Sequence, residues 1–269
     1  MQNNELDLKG RVAIVTGGGR GIGKAIAIAL AEKGATVVIA TRTASYGEAV
    51  VNTISAASGK ASLFPLDVSE RNSVRELIED TAKRYGRIDV VVHAAATIPF
   101  GNIEKLSDDD FDMCLRSISY AAFWLTKYAT PYLEKTKSDG GGRIVFISST
   151  CGPQNVLPGL AHYGMAKNGL EAFVRGAALE LGSKGITVNA INPGLIASDH
   201  MKESLTEAQA ASVAKQFPVA RVGQTADIAN AVLFLISPQA SYVSGHSLVV
   251  DGGASLLPSG QVSAMLADH

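Results

Sequence analysis

The sequence predicts an α/β fold: one domain, residues 1–269, in which helices cover both faces of a doubly wound parallel sheet of seven strands. Three observations predict it. Short runs of apolar and β-branched residues alternate with longer runs of helical periodicity. A glycine-rich turn follows the first of these runs. No linker-like segment divides the chain, and its hydrophobic content is 46%.

The order of the elements supports a parallel sheet. The predicted strands are 12–16, 36–40, 62–66, 90–93, 143–148, 187–191 and 247–250. The predicted helices lie between them, at about 21–33, 45–58, 71–85, 107–135, 162–182 and 225–236, with Ser107 and Thr225 as N-caps of the fourth and the last. Repeated βαβ units form parallel sheets, which bind ligands at the carboxyl ends of their strands. The segment 195–223 follows such a strand end, so we expect it to be a substrate lid.

Composition narrows the function classes. The net charge of −1 gives no basic surface for nucleic acid or for an anionic membrane. Cys114 and Cys151 have neither metal-site nor disulfide spacing, so we expect two small apolar side chains and no metal. The chain has no leader-like segment and no apolar stretch of the ~18 residues that cross a membrane. A soluble cytoplasmic protein is expected.

The glycine-rich turn has three interpretations. Backbone N–H groups at a helix N-terminus favour a phosphate. Gly17, Gly21 and Gly23 do not fit the spacing G-x-G-x-x-G, and a triphosphatase loop would need a hydroxyl where Ala25 stands. The pattern T-G-x-x-x-G-x-G, which begins at Thr16, indicates a dinucleotide-binding turn. A tight strand-to-helix turn without a ligand is the alternative.

The end of the second strand favours NADP(H). No Asp or Glu occurs between positions 37 and 47, where a carboxylate would bind the adenosine ribose. Thr41 and Arg42 stand there instead, and Arg20 projects from the glycine turn. Guanidinium groups suit a 2′-phosphate. The alternative is that both arginines are solvated surface residues.

A Tyr-Lys pair provides a candidate acid and base. Tyr163 and Lys167 are four residues apart and therefore share one helix face. An ammonium beside a phenol stabilises the phenolate and lowers its pKa. Ser148 and Ser149 end the fifth strand, at the same predicted edge of the sheet.

Together these features resemble the short-chain dehydrogenase/reductase family, from about Leu8 to Ala254. The resemblance includes the glycine turn, Asp67, Ser149, the Tyr163/Lys167 pair, and the segments 192–194 and 250–253. It implies that Tyr163 is the general acid in carbonyl reduction, that Ser149 hydrogen-bonds the carbonyl oxygen and that Lys167 holds the nicotinamide ribose.

The resemblance also implies a set of cofactor contacts. With the residues argued above, the set is Gly17, Arg20, Gly21, Ile22, Gly23, Thr41, Arg42, Asp67, Val68, Ala95, Ala96, Tyr163, Lys167, Pro193, Gly194, Ile196 and Ser198. Asp67 has a second interpretation, as a cap of the following helix.

Two positions depart from the family pattern. The sequence H-A-A-A from His93 stands where most members have N-N-A-G, and we interpret His93 as a structural residue rather than a base. Ile118 stands where the family has an asparagine that kinks the helix and holds a water connecting the lysine to solvent. With isoleucine, that relay has to be rebuilt through Ser117 or Ser119, or the rate falls.

The predicted substrate side is apolar. Loop 152–160 has no cation, and the lid contributes Leu195, Met201, Leu205 and Phe217, with Lys202 and Arg221 nearby. We therefore predict an NADPH-dependent, reversible reductase of a neutral or hydrophobic ketone or aldehyde. These side chains have a second interpretation, that they pack on one another. Two other functions stay open: an NADP(H)-binding sensor or partner-binding module with weak catalysis, and a reductase of enoyl or dienoyl thioesters.

The two longest predicted helices carry more small and apolar residues than one core-facing stripe needs. They are Ala121, Ala122, Phe123 and Trp124 on one, and Gly169, Ala172, Phe173 and Gly176 on the other. The resemblance implies that these helices pair across a twofold axis. A homotetramer is expected, with a dimer as the alternative.

Overall fold

A parallel sheet of seven strands lies at the centre of the fold, in the order β3-β2-β1-β4-β5-β6-β9. The computed structural model describes residues 6–199, 201 and 206–257. Its strands are β1 (Val12–Thr16), β2 (Thr36–Thr41), β3 (Lys60–Pro65), β4 (Val90–His93), β5 (Gly142–Ile147), β6 (Ile186–Pro193), β7 (Ile196–Ala197), β8 (Gly223–Gln224) and β9 (Ser247–Val250). The strand order reverses between β1 and β4, which places a ligand crevice there.

Helices cover both faces of this sheet. They are α1 (Gly21–Glu32), α2 (Ala44–Ala56), α3 (Arg71–Tyr85), α4 (Asp108–Leu115), α5 (Ala121–Leu133), α6 (Ala161–Leu181), α7 (Glu207–Ala214) and α8 (Thr225–Ile236). One face packs against α3, α4, α5 and α6, and the other against α1, α2 and α8. Both faces of the central strands are therefore buried, which explains their unbroken apolar runs. The predicted α/β fold is confirmed.

Two local predictions need correction. The predicted helix 107–135 is not continuous, because a π-helical turn, Arg116–Tyr120, separates α4 from α5. Thr225 is not an N-cap: Gln224 precedes the helix, and its backbone N–H donates to Asp227 at 2.7 Å. By contrast, Ser107 caps α4 as predicted, accepting from the N–H of Asp110.

The proposed interface helices also differ from prediction. Ala121 and Ala122 are fully buried in the core of their own chain, so their assignment to a subunit interface is wrong. Phe123 on α5 is half exposed, and Gly169 and Gly176 on α6 have open space where a side chain would stand.

A charged cluster lies at the amino ends of the strands. The carboxylate of Asp89 is buried and accepts from the backbone N–H of Val12 at 2.8 Å, from Arg11 at 2.9 Å and from Arg87 at 2.6 Å. Asp139, which is exposed, bonds to both of the same arginines. The buried carboxylate is thus neutralised by two guanidinium groups.

Within the described ranges, none of the helices has the length and apolar character that crossing a membrane requires.

Candidate active site

The glycine turn connects β1 to α1 in a conformation that few other residues could adopt. Gly17 and Gly21 have φ of +69° and +54°, in the left-handed region. A Cβ on Gly17 would lie 2.7 Å from the amide nitrogen of Ala95, and one on Gly23 would overlap the carbonyl oxygen of Gly17. The turn therefore needs glycine both for its backbone angles and for the close approach of neighbouring chain segments.

An anionic group already lies on this turn. The backbone N–H of Gly21 donates to the carboxylate of Asp199 at 3.1 Å. A carboxylate is stabilised at a helix N-terminus by the same N–H groups and helix dipole that bind a phosphate. The turn therefore offers backbone N–H groups that fit the diphosphate of a dinucleotide, and Asp199 binds one of them in this structure.

The end of β2 adjoins the glycine turn. Thr41 Oγ1 lies 3.0 Å from where a Cβ on Gly19 would stand, so its hydroxyl is next to the turn. Arg42 follows with an exposed side chain, and Arg20, also exposed, is the residue before α1. The structure thus brings Thr41 close to the turn that carries Arg20.

The remaining predicted cofactor residues lie along the same edge. Asp67 accepts from the backbone N–H and the hydroxyl of Ser69, and it is Glu70 that precedes α3, so Asp67 shapes the turn without capping the helix itself. Val68, Pro193 and Ile196 are buried, while Ile22, Ala95, Gly194 and Ser198 are partly exposed and Ala96 is exposed.

Ser149, Tyr163 and Lys167 come together beyond the end of β5. Tyr163 and Lys167 are buried on α6, and the Lys167 Nζ lies 5.4 Å from the centroid of the Tyr163 ring. Lys167 Nζ donates to the backbone carbonyl of Ile147 at 2.7 Å. The hydroxyl of Ser149 accepts from the N–H of Cys151 at 3.0 Å, which fixes its orientation.

Burial changes the proton affinity of both ionisable groups. It raises the pKa of Tyr163 above its ordinary value of 10, and a hydrogen bond to Ser149 acts in the opposite direction. It lowers the pKa of Lys167 to about 8, against the influence of the Cys114 and Cys151 thiols. In this state the phenol keeps its proton at neutral pH and can donate it to a bound carbonyl.

His93 is a structural residue, as expected from the sequence. Its ring is buried, with Nδ1 2.7 Å from Thr16 Oγ1 and Nε2 3.1 Å from the carbonyl oxygen of Ser117. Burial and the nearby Lys167 lower its pKa to about 3. His93 is therefore neutral at physiological pH.

The kink next to Ile118 persists without an asparagine. Ile118 is fully buried in the π turn, whose neighbour Ser117 accepts from the N–H of Thr97 at 3.0 Å and donates to the carbonyl of Cys114. Ser119 Oγ is 3.5 Å from the carbonyl oxygen of Ala166. The hydroxyl of Ser117 is thus hydrogen-bonded to two backbone groups. The hydroxyl of Ser119 has one longer contact, to the carbonyl of Ala166, the residue before Lys167.

Sequence reasoning did not find a polar group beneath the substrate side. The amide of Asn192, at the end of β6, donates to Gln154 at 3.2 Å and to Glu171 on α6. Asn192 Oδ1 is buried without a partner in the described part of the chain. Gln154 belongs to the loop 152–160, so this group ties that loop to the sheet. The motif after β6 pointed to Asn192, but no local pattern indicated its partners.

The apolar side chains near the site divide into two groups. Phe217 packs in a small cluster with Val213, Ala214 and Ala254, and Leu195 lies against it, so this part of the lid buries itself. Arg221 is paired with Asp227 at 2.7 Å and does not present a free cation. Leu205 and Lys202 lie outside the described residues. Around the substrate side, Phe100 stacks over Gly159 and is mostly exposed.

Among the residues that the structure describes, no three His, Cys, Asp or Glu side chains are grouped so that they could hold a metal ion.

Several known proteins that are similar to this chain are named as reductases or dehydrogenases. A family model described as enoyl-(acyl carrier protein) reductase matches residues 17–255. Versicolorin reductase 1 of Dothistroma septosporum is 36% identical over 266 residues, covering 94% of this chain and 99% of that protein. The 3-oxoacyl-(acyl-carrier-protein) reductase of Escherichia coli K12 is 35% identical over 248 residues, covering 92% and 98%.

A solved structure agrees with these relatives. A 7α-hydroxysteroid dehydrogenase, complexed with NADH and 7-oxo glycochenodeoxycholic acid, superimposes with a TM-score of 0.88 at 34% identity, covering 94% of this chain and 97% of its own. The match of the family model and these relatives extends over nearly the whole chain. The chain belongs to the short-chain dehydrogenase/reductase family and is an oxidoreductase.

Proposed function

We propose that the protein is an NADPH-dependent reductase that acts reversibly on a neutral or hydrophobic ketone or aldehyde. The observation that carries the proposal is the meeting of Ser149, Tyr163 and Lys167 at the carboxyl edge of the sheet. The glycine turn lies at the same edge, at the point where the strand order reverses.

Each of the three side chains has a distinct task in this reaction. The bound nicotinamide supplies a hydride to the carbonyl carbon. Ser149 and Tyr163 donate hydrogen bonds to the carbonyl oxygen, and Tyr163 transfers its proton there as negative charge develops. The ammonium of Lys167 stabilises the resulting phenolate from its position beside the ring. In the direction of alcohol oxidation the Tyr163 phenolate accepts the proton of the alcohol hydroxyl.

The cofactor preference rests on the residues at the end of β2. The phosphate-binding turn, Thr41 and the exposed Arg42 form one surface, and positions 37–47 contain no carboxylate. A 2′-phosphate would gain a guanidinium partner there, and a plain ribose would find no acidic acceptor. We therefore assign NADP(H), with Arg20 as the second guanidinium. The ratio of kcat/KM for NADPH to that for NADH tests this, and Arg42→Ala should lower it.

We assign the contacts with the nicotinamide from the place of the predicted residues in the chain, at the carboxyl end of β6. Pro193 ends β6, and Gly194, Ile196 and Ser198 follow it. The backbone N–H of Gly194 donates to the carbonyl of Val250 at 3.1 Å. We assign this segment to the carboxamide, and Ile22, Asp67, Val68, Ala95 and Ala96 to the rest of the cofactor.

The lid, segment 195–223, is proposed to close over the substrate. It contains α7 and the short pair β7 and β8, and its apolar side chains face one another. Arg221 is bound to Asp227, and Lys215, which is exposed just after α7, is the other cation in the described part of the lid. A neutral carbonyl compound fits these apolar side chains better than a phosphate or a keto acid does.

The decisive test is NADPH oxidation with a panel of ketones and aldehydes. Turnover that Tyr163→Phe abolishes, while NADPH still binds, supports the proposal. Tyr242→Phe removes the same hydroxyl from a fully exposed ring and should leave turnover unchanged. Tight NADPH binding without turnover would instead favour a sensor or partner-binding protein.

A thioester reductase is the second candidate, favoured by the name of the matching family model and by the relative that acts on a 3-oxoacyl group. A dienoyl-CoA, an enoyl thioester and a 3-oxoacyl thioester in the same panel separate it from simple carbonyl reduction. Reduction of a C=C bond that survives Tyr163→Phe would establish it.

We also propose a homotetramer, or a dimer, formed through the exposed faces of α5 and α6. Phe123 and Phe173 contact each other at 6.3 Å between ring centroids, and Phe123 is half exposed. Gly169, Ala172 and Gly176 line the exposed side of α6, where a second helix could approach closely. Light scattering at micromolar concentration tests this, and a monomeric mass would exclude it.

A further inference from the structure

The ring of His93 connects two parts of the site that are distant in sequence. Thr16 is the last residue of β1, directly before the glycine turn, and Ser117 belongs to the π turn between α4 and α5. His93 bonds to both, at 2.7 Å and 3.1 Å, and is 2% exposed. It lies at the end of β4, in register with Thr16. Among the described residues, β1 and the π turn share no direct hydrogen bond, so His93 is what connects them.

These contacts determine the tautomer of His93. A carbonyl oxygen only accepts, so Nε2 must carry the proton that it donates to Ser117. Nδ1 then has no proton and accepts from the hydroxyl of Thr16. The neutral Nε2–H form satisfies both partners.

The π turn requires such a partner. A π-helical turn replaces the regular hydrogen bonds of the α-helix, so carbonyl groups at the transition need other donors. The carbonyl of Ser117 receives the N–H of His93, and the hydroxyl of the same serine accepts from Thr97. His93 and Thr97 therefore hold the turn from the side of β4.

The π turn also packs against α6, the helix that carries Tyr163 and Lys167. Ile118 lies in one core cluster with Tyr163 and Ala166, and Ser119 approaches the carbonyl of Ala166, the residue before Lys167. The titratable groups that lie around His93 and Lys167 are Tyr163, Cys114 and Cys151. The position of the turn thus determines how closely Lys167 is enclosed.

We propose that His93 is a positioning residue for Lys167. By holding Ser117, it keeps the π turn packed on α6 and so keeps water away from the ammonium beside Tyr163. This role does not need an ionised histidine. His93, on β4, gives the π turn a hydrogen bond that Ile118 cannot give, because the Ile118 side chain has no polar atom. The catalytic consequence of this inference rests on the proposed function, whereas the structural consequence does not.

The test compares His93→Leu with His93→Gln. Leucine removes both hydrogen bonds, whereas glutamine offers an N–H to Ser117 and an oxygen to Thr16. The first readout is the pKa of Lys167, followed by NMR of isotopically labelled lysine. Leucine should admit water and raise that pKa by about half a unit or more, and glutamine should restore most of the difference. His246→Leu, at a half-exposed histidine, is the control.

The second readout is turnover per folded molecule. His93→Leu should lower kcat about 10- to 100-fold, because a displaced lysine no longer stands in place beside Tyr163. Glutamine should recover most of kcat. A leucine variant that is folded and keeps both the wild-type Lys167 pKa and the wild-type kcat overturns the proposal.

Histidine NMR of the wild-type protein provides a further check. The Nε2–H tautomer is expected from pH 5 to 8, and an Nδ1–H tautomer or a protonated ring in that range would overturn the proposal even if His93→Leu fails to fold. If the wild-type enzyme shows no turnover, the proposed function fails, and the Lys167 pKa and the tautomer still decide this inference.

Discussion

Buried charges at the two edges of the sheet are treated in opposite ways. At the amino edge, the carboxylate of Asp89 receives hydrogen bonds from Arg11, Arg87 and the backbone of Val12. At the carboxyl edge, the ammonium of Lys167 is equally buried and donates to the carbonyl of Ile147. Among the described side chains no carboxylate pairs with it, and burial lowers its pKa.

The difference separates a structural charge from the one that we propose acts in catalysis. A buried ion whose lost hydration is replaced by guanidinium groups and N–H groups is held firmly in its charged form. A buried ion without such replacement stays close to losing its charge, as residues at catalytic sites often do. We therefore expect the amino edge to contribute stability and the carboxyl edge to contribute reactivity.

The largest effect is expected for Lys167→Met. It should lower kcat about 10²- to 10⁴-fold, because the phenolate of Tyr163 loses its cation. It should leave the thermal midpoint unchanged or higher, because methionine removes an ammonium that burial disfavours. Activity assays and calorimetry measure both. Lys127→Met, on the exposed side of α5, is the control, and a large loss of stability at Lys167 would break the comparison.

The reverse outcome is expected for Asp89→Ala. Removing one partner of a buried ion pair costs about 3–5 kcal/mol of unfolding free energy, because the guanidinium groups lose their carboxylate. The kcat per folded molecule should stay at the wild-type value. Urea denaturation with activity assays tests this. Asp139→Asn removes the exposed carboxylate from the same arginines and should be hard to distinguish from wild type, since solvent screens exposed pairs.

A third prediction concerns pH. Lys167 has a pKa of about 8 in the folded protein and an ordinary value of 10.5. Between these values the unfolded chain binds the extra proton, so stability should rise with pH across this window, by on the order of 3 kcal/mol. Below pH 8 both states are protonated and the penalty of burial is fully present. Lys167→Met should lack this slope when unfolding free energies are compared from pH 7 to 10; parallel curves would contradict the assignment.

The smallest effect is expected for Asp199→Asn. Unlike Asp89, Asp199 is exposed and is bound to a backbone N–H of the glycine turn, where we propose that the cofactor diphosphate takes its place. Removing its charge should tighten NADPH binding about two- to fivefold, the size of a helix-terminus interaction. Titration of NADPH by fluorescence measures this, with Asp109→Asn at an exposed position of α4 as the control. Weaker binding would show that Asp199 supports the cofactor.

The fold and the three central residues could be predicted because the signals are local. Strand and helix periodicity, the glycine spacing and the four-residue step from Tyr163 to Lys167 are all read within a few turns of chain. The sequence also predicts that His93 is a structural residue rather than a base, because no partner lies nearby in sequence. In the structure its ring is buried and hydrogen-bonded to Thr16 and Ser117.

What could not be predicted depends on contacts between distant segments. Asp199 reaches Gly21 across 178 positions, and His93 reaches Thr16 across 77. Asn192 finds Glu171 only when β6 and α6 are packed side by side. Such pairs result from the tertiary arrangement and leave no spacing pattern in the sequence. The roles of the predicted cofactor residues stay predictions until a cofactor complex tests them.

The π turn at Arg116–Tyr120 has one more consequence, which is geometric. An extra residue in a helix rotates everything beyond it by roughly 100° about the axis. A helical wheel drawn over 107–135 as one regular helix would therefore place α5 out of phase with α4. In the structure Ala121 and Ala122 point inward and Phe123 is half exposed. The bend that shapes the catalytic side also orients the outer surface of α5.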